Sequence, residues 1–99
     1  MDDMTSQTFL PHVGSEFRFQ GPMGGDDVNL HLTAVRDLGK QPNAPRGEPF
    51  ALEFAGPPQP VLDQRIYRLE HDELGVLEIF VVPIGYDAEG NLRYEAVFN

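Results

Sequence analysis

Between residues 28 and 34 the side chains alternate: Val28, Leu30, Leu32 and Ala34 fall on one side, Asn29, His31 and Thr33 on the other. Successive side chains of an extended chain point to opposite faces, so a period of two predicts a strand with one face buried. Residues 50–54 repeat the pattern, with Phe50, Leu52 and Phe54 inward and Glu53 outward. Weaker versions occur at Phe17 and Phe19, and at Tyr67 and Leu69 within residues 66–70. Residues 76–82 are apolar on both faces except at Glu78, which predicts a strand at the centre of a sheet or beneath a second layer. Pro83 has no amide to donate and is expected to end that ladder. A last strand over residues 92–98 follows the turn sequence DAEGN and forms a hairpin with the strand before it. Alternation alone predicts a core centred on Phe50, Leu52, Phe54, Leu77, Ile79, Val81 and Tyr94.

Glycine and proline punctuate these segments. They cluster at residues 21–27 (GPMGGDD), 39–49 (GKQPNAPRGEP), 56–60 (GPPQP) and 87–91 (DAEGN), all of which read as turns and loops. Ten glycines and nine prolines in 99 residues are too many for a helical bundle, since both disrupt helix interiors. Helix is expected only near the start, where Ser6 could cap a turn through Phe9 and Leu10 that ends at Pro11 or Gly14. The expected fold is all-β: a small antiparallel barrel or sandwich of about six strands with a short N-terminal helical turn. Residues 1–99 are read as a single domain, with disorder admitted over residues 1–8.

Sixteen acidic residues against seven basic give a net charge of −9. Nucleic acid and anionic membranes are therefore poor partners, and a protein partner is the expectation. By segment the charge is −4 over residues 1–27, +1 over 28–50, −3 over 51–75 and −3 over 76–99. The one local positive excess comes from Arg36, Lys40 and Arg46, which with Phe98 are the candidate partner contacts. Cysteine is absent, which removes thiolate catalysis and cysteine-based metal sites. No apolar run approaches the roughly 20 residues of a membrane-spanning helix, and the first residues, MDDMTSQTF, lack the features of a secretory signal. A cytoplasmic location is the expectation.

The densest polar cluster is Glu70, His71, Asp72 and Glu73. In an extended segment only Glu70 with Asp72, or His71 with Glu73, could face one ion, so the cluster reads as a charged turn bent at Gly75 and not as a metal site. The DAEGN segment places Gly90 too early, and Glu95 too close behind it, for a calcium loop. Ser6 and Ser15 are the only serines, and neither sits in a nucleophile-elbow pattern; His12, His31 and His71 are the available bases. Gly39-Lys40 lacks the remaining residues of a phosphate loop. GPPQP reads as a stiff loop in preference to a polyproline ligand. No catalytic, metal or cofactor-binding residue is assigned, and no cofactor is expected.

The segments PRGEPFALEFAGPPQPVLDQRIYRLEHDELGVLEIFVVPIG and RYEAVFN resemble a bacterial family of small domains of unknown function. In that family a PRGEPFSLLFRGP-like stretch precedes PLPQGTYRLEH-like and LGELELFLVPVG-like segments. The resemblance runs from about Phe9 to Asn99. It carries over no catalytic residue, and it implies neighbours resembling phage-tail-collar or tail-fibre proteins. The chain departs from the pattern at Gln64-Arg65, where the family tends to have glycine, and in the GPMGGDD loop.

The expected function is a non-enzymatic protein-binding or assembly module, accessory to a phage-tail-like or fibre-like assembly. The alternatives are an acidic inhibitor occupying a basic surface of a nucleic-acid-binding protein, a small-ligand-binding barrel, and, last, a metal-dependent hydrolase built on Glu70, His71 and Glu73.

Overall fold

Each alternating segment becomes a strand in the structure, a computed structural model that describes residues 4–21, 27–39 and 49–98. The strands are β1 (Glu16–Phe19), β2 (Val28–Asp37), β3 (Phe50–Gly56), β4 (Arg65–His71), β5 (Gly75–Tyr86) and β6 (Leu92–Phe98). They pair antiparallel in the order β1-β2-β3-β6-β5-β4, and β4 returns to β1 to close a barrel. Of the two expected architectures, closure selects the barrel. The chain thus makes two three-strand meanders joined along β3–β6 and β4–β1.

The inward positions fill the lumen. All seven expected core residues are buried, together with Phe17, Phe19, Leu30, Leu32, Tyr67, Leu69 and others. Phe54 is the hub: the rings of Phe17 and Phe19 each meet it edge-on, both at 5.4 Å. This geometry sets the positive rim of one ring against the negative face of another. At the end of β3 the chain passes so close to β2 that a Cβ on Gly56 would run into Leu30 Cδ2. A glycine there lets the wall close over the leucine.

Three expectations about the strands are corrected. β2 carries a bulge between Leu32 and Ala34, so Ala34 leaves the inward row and Val35 packs against the core instead. An extra residue in one strand shifts the side-chain parity beyond it. Pro83 does not end β5, which continues to Tyr86. The register shifts between Pro83 and Gly85, and a bulge is one of the few places where a sheet tolerates a residue without an amide. Nor is β5 covered on both faces, because a barrel wall has one face toward the lumen: Val76 and Phe80 are 49% and 48% exposed on the outside.

The short helix α1 (Ser6–Phe9) runs into a 3-10 turn, Leu10–His12. Thr5 and not Ser6 is its N-cap, and the Thr5 amide donates to Thr8 Oγ1 at 3.1 Å. This segment lies over one end of the barrel, where Phe9 is fully buried against Phe50 and Phe98. The β3–β4 connection lies over the other end, where Leu62 is fully buried and its amide donates to the hydroxyl of Tyr94 at 3.0 Å. The DAEGN hairpin is as expected. Asp87 Oδ1 accepts from the amides of Glu89 and Asn91, both at 2.9 Å.

Because Phe54 holds two other rings in a closed lumen, Phe54→Ala is expected to cost about 3–5 kcal/mol in urea unfolding. A cost below about 1 kcal/mol would show that the lumen can collapse around the missing ring.

Candidate functional site

The β4–β5 turn, the start of β1 and the 3-10 turn meet at the end of the barrel that Phe9 stoppers. They bring together His12, Ser15, His71 and Glu73, two imidazoles, a hydroxyl and a carboxylate. Ser15 is held in place by backbone bonds to β2, since the Leu32 amide donates to Ser15 O at 3.1 Å and the Gly14 amide to Leu32 O at 2.7 Å. His71 ends β4 with its side chain inward, 5% exposed, and its ring lies 4.4 Å from that of Phe17 and 4.5 Å from that of His12.

The hydrogen bonds decide what this cluster can do. His71 Nδ1 accepts from two backbone amides, Glu73 at 3.0 Å and Leu74 at 3.2 Å, so in the neutral ring the proton sits on Nε2. Nε2 lies 2.9 Å from Ser15 Oγ and therefore donates to it. The Ser15 hydroxyl in turn donates to the carbonyl of His12 at 2.6 Å. A nucleophilic serine needs the opposite polarity, with the imidazole nitrogen accepting the hydroxyl proton. Neither ring nitrogen of His71 has a lone pair left for that task. Burial holds its pKa below the ordinary value, with nearby His12 a second cause, while Glu73 and Asp72 pull weakly upward.

Nor do the acidic neighbours make a metal site. Glu70 and Asp72 do converge, but on Arg18, at 3.6 Å and 3.3 Å. Glu73 turns away to His12, 3.3 Å from its Nδ1. Among the described residues no group of three or more potential ligands could hold a metal ion. Ser15, His71 and Glu73 of this cluster, with Glu16, Arg18 and Asp72, line an open groove of about 410 Å³.

Among the described residues, the Tyr67 and Tyr94 hydroxyls also make buried or half-buried hydrogen bonds. The Tyr67 hydroxyl donates to the Asp63 carbonyl at 2.7 Å and lies 3.0 Å from its carboxylate. Burial first, and that carboxylate second, push it up to about 12. The same hydroxyl, followed by Arg65, holds Asp63 below its usual range. Burial also raises Tyr94. Neither phenol is suited to exchange a proton near neutrality.

Of the sequence-derived contact residues, Arg36 and Phe98 are among the described residues. Arg36 stands on the outer face, where Glu53 and Glu95 hold its guanidinium at 3.0 Å and 2.7 Å; Glu53 also receives Arg93 at 3.2 Å. This four-residue ion network ties β2, β3 and β6 together. Lys40 and Arg46 lie outside the described residues. Phe98 is half-buried, its ring stacked on Phe50 at 4.6 Å and 5° and lying 5.8 Å from Phe9. In GPPQP, Gly56 is buried at the end of β3, and residues 57–60 are exposed with a bend over 58–60.

The sequence reading passed over a strip on the outer wall. Ile66 and Phe80 face each other across β4 and β5, 65% and 48% exposed, with Val97 on β6 exposed by 48%. The signal was present as parity: Phe80 is out of phase with Leu77, Ile79 and Val81, and Ile66 with Tyr67 and Leu69. No such signal existed for the His71–Ser15 contact, which joins residues 56 apart.

Two outcomes follow from this geometry. Phe98→Ala is expected to lower the thermal midpoint, because the Phe50 stack alone is worth about 0.5–1.5 kcal/mol beyond the area it buries. An unchanged midpoint would show that Phe98 contributes nothing to the stopper. A strong chelator is expected to leave the midpoint within about a degree, since Glu70 and Asp72 are occupied by Arg18; a fall of several degrees would reveal a bound metal ion.

The family described as a domain of unknown function, DUF6916, matches residues 4–98. Neither the curated proteins nor the solved structures yield a match.

Proposed function

The chain belongs to the DUF6916 family of domains, and we propose that it is a non-enzymatic protein-binding or assembly module whose contact surface is the outer strip of Ile66, Phe80 and Val97. The observation that carries this reading is the exposure of three large apolar side chains on the wall of a barrel whose lumen is already full. Among the described residues the inward row is apolar and buried, which favours an outer contact surface over a ligand inside the barrel, and the polarity of the Ser15–His71 bond leaves Ser15 without a base.

The occupant is a different protein, with an apolar patch bordered by basic side chains. Two copies of a chain with net charge −9 repel one another, whereas a cationic surface is attracted over the whole face. Glu78 lies on the same outer row of β5 as Phe80 and makes no ion pair among the described residues. On the strength of the resemblance in PRGEPF, LEH and RYEAVFN, we extend the proposal to a bacterial setting in which the module is accessory to a phage-tail-like or fibre-like assembly.

The test is photo-crosslinking in the native host from positions 66 and 80, with position 29 on the outer face of β2 as control, followed by rebinding of the captured protein in purified form. One protein is expected from both positions and not from the control, with Phe80→Arg weakening its binding at least about tenfold. Binding should survive a rise in salt, because apolar contact is not screened. Crosslinking of the chain to its own copy, unchanged affinity in Phe80→Arg, or collapse of binding with salt would each overturn the reading. The last of these would point to an acidic inhibitor.

A further inference from the structure

The outward positions of the β4–β5 hairpin stand in three cross-strand couples: Ile66 opposite Phe80, Arg68 opposite Glu78, and Glu70 opposite Val76. All six side chains are exposed. Along β5, Glu78 stands between Phe80 and Val76, and along β4 the next outward position from Ile66 is Arg68. One positive and one negative charge are thus set among the apolar side chains of the outer wall.

Neither charge is matched within the chain. Arg68 and Glu78 make no ion pair and no side-chain hydrogen bond among the described residues, whereas every other described arginine holds at least one carboxylate. The contrast with Arg18 is direct. It stands opposite Glu70 across β1 and β4 as Arg68 stands opposite Glu78 across β4 and β5, yet the first couple closes to 3.6 Å and the second does not close.

A partner seated on Ile66 and Phe80 covers both charges. An ion stripped of water is costly to bury unless a counter-charge and hydrogen bonds replace its hydration. A surface with matching signs gains two pairs there, and a purely apolar surface buries two unmatched ions.

We propose that Arg68 and Glu78 are the specificity-determining pair of this docking face, an inference that rests on the outer strip being the contact surface. The partner sets one carboxylate on Arg68 and one cation on Glu78, beside the apolar group that meets Ile66 and Phe80. Its border, basic as a whole, therefore contains one acidic side chain. Cross-strand neighbours stand about 4.5–5.5 Å apart at their α-carbons, so the two partner charges occupy adjacent positions, as do residues i and i+4 of a helix. A small free anion is not the occupant. Arg68 lines a hollow of about 120 Å³ with Arg18 and Gln20, but Asp27 and Glu70 line it too, and their charges oppose an anion that has no further contacts.

The experiment measures binding of the protein captured from positions 66 and 80, in purified form, to the full chain as wild type, Arg68→Glu, Glu78→Arg and the double reversal, with Phe80→Arg alongside. Each single reversal is expected to weaken binding at least about tenfold. The double reversal should bind no better than either single, because both partner charges then meet their own sign. Thermal midpoints should stay near that of the wild type, since neither side chain bonds to another described residue. Should a reversal unfold the chain, Arg68→Gln and Glu78→Gln take its place, with loss of binding again expected. Unchanged affinity in either single variant, while Phe80→Arg binds weakly, overturns the pair and leaves the docking face standing. Recovery of wild-type affinity in the double reversal would show Arg68 and Glu78 pairing with each other beneath the partner, and overturns the proposal equally. Capture of no protein from positions 66 and 80, or full binding by Phe80→Arg, removes the docking face and the specificity pair with it.

Discussion

Closure of the sheet at the β1–β4 seam is the constraint on which the rest of the molecule depends. β1 has only four residues, and its register with β4 rests on Arg18 opposite Glu70 and Phe19 opposite Leu69. One more bond extends the seam, from the Gln20 amide to the carbonyl of Arg68 at 2.9 Å. On the outside Arg18 spans the seam to Glu70 and Asp72, and on the inside Phe17 and Phe19 lock against Phe54. Ion pairs this exposed contribute little each, so the aromatic packing is the stronger half of the seam. If the seam parted, β1 and β4 would become edges with unpaired amides, and the lumen would open along its length.

A closed wall still leaves two open ends, and a chain of this size has little surplus core with which to tolerate wet ones. The topology answers this with the segments that the strands leave over. Because β3 pairs with β6 and not with β4, the chain must travel across one end to begin the second meander, and that crossing supplies Leu62. The other end is covered by the segment that precedes β1, which supplies Phe9. Each stopper is apolar at its tip and hydrogen-bonded at its rim. Leu62 caps the Tyr94 hydroxyl through its amide, and the Phe9 segment reaches the barrel through Ser15 and His71.

These two stoppers also mark where sequence reasoning ran out. Alternation marks five of the strands, an apolar run the sixth, and parity places Phe50, Leu52, Phe54, Leu77, Ile79, Val81 and Tyr94 inward as observed, because a strand's parity is local and depends on nothing beyond its neighbours. Leu62 sits among prolines and polar residues, where no period exists to reveal burial. The bulges near Thr33 and Ile84 each add one residue, and an insertion of one is invisible until the partner strand is known. Parity sets Phe80 and Ile66 apart from the inward rows, but a strand apolar on both sides reads as doubly covered, and only closure shows which side meets water. Arg36 looked like a local cation because Glu53 and Glu95 lie far along the chain.

The chemistry of His71 was illegible for a deeper reason. Sequence supplies an imidazole beside three carboxylates and a serine elsewhere, which their spacing reads as a charged turn without saying what the ring does in it. What decides that is the direction of each proton, and direction comes only from the partners that folding brings in. Two backbone amides claim Nδ1, which forces the remaining proton onto Nε2 and fixes the polarity of every link down to His12. The same two bonds that deny Ser15 a base therefore make the ring's neutrality a condition for keeping the amides of the β4–β5 turn bonded. A buried histidine wired in this sense is a structural acceptor and not a base: a second proton could enter only at Nδ1, by displacing the two amides that fold the turn.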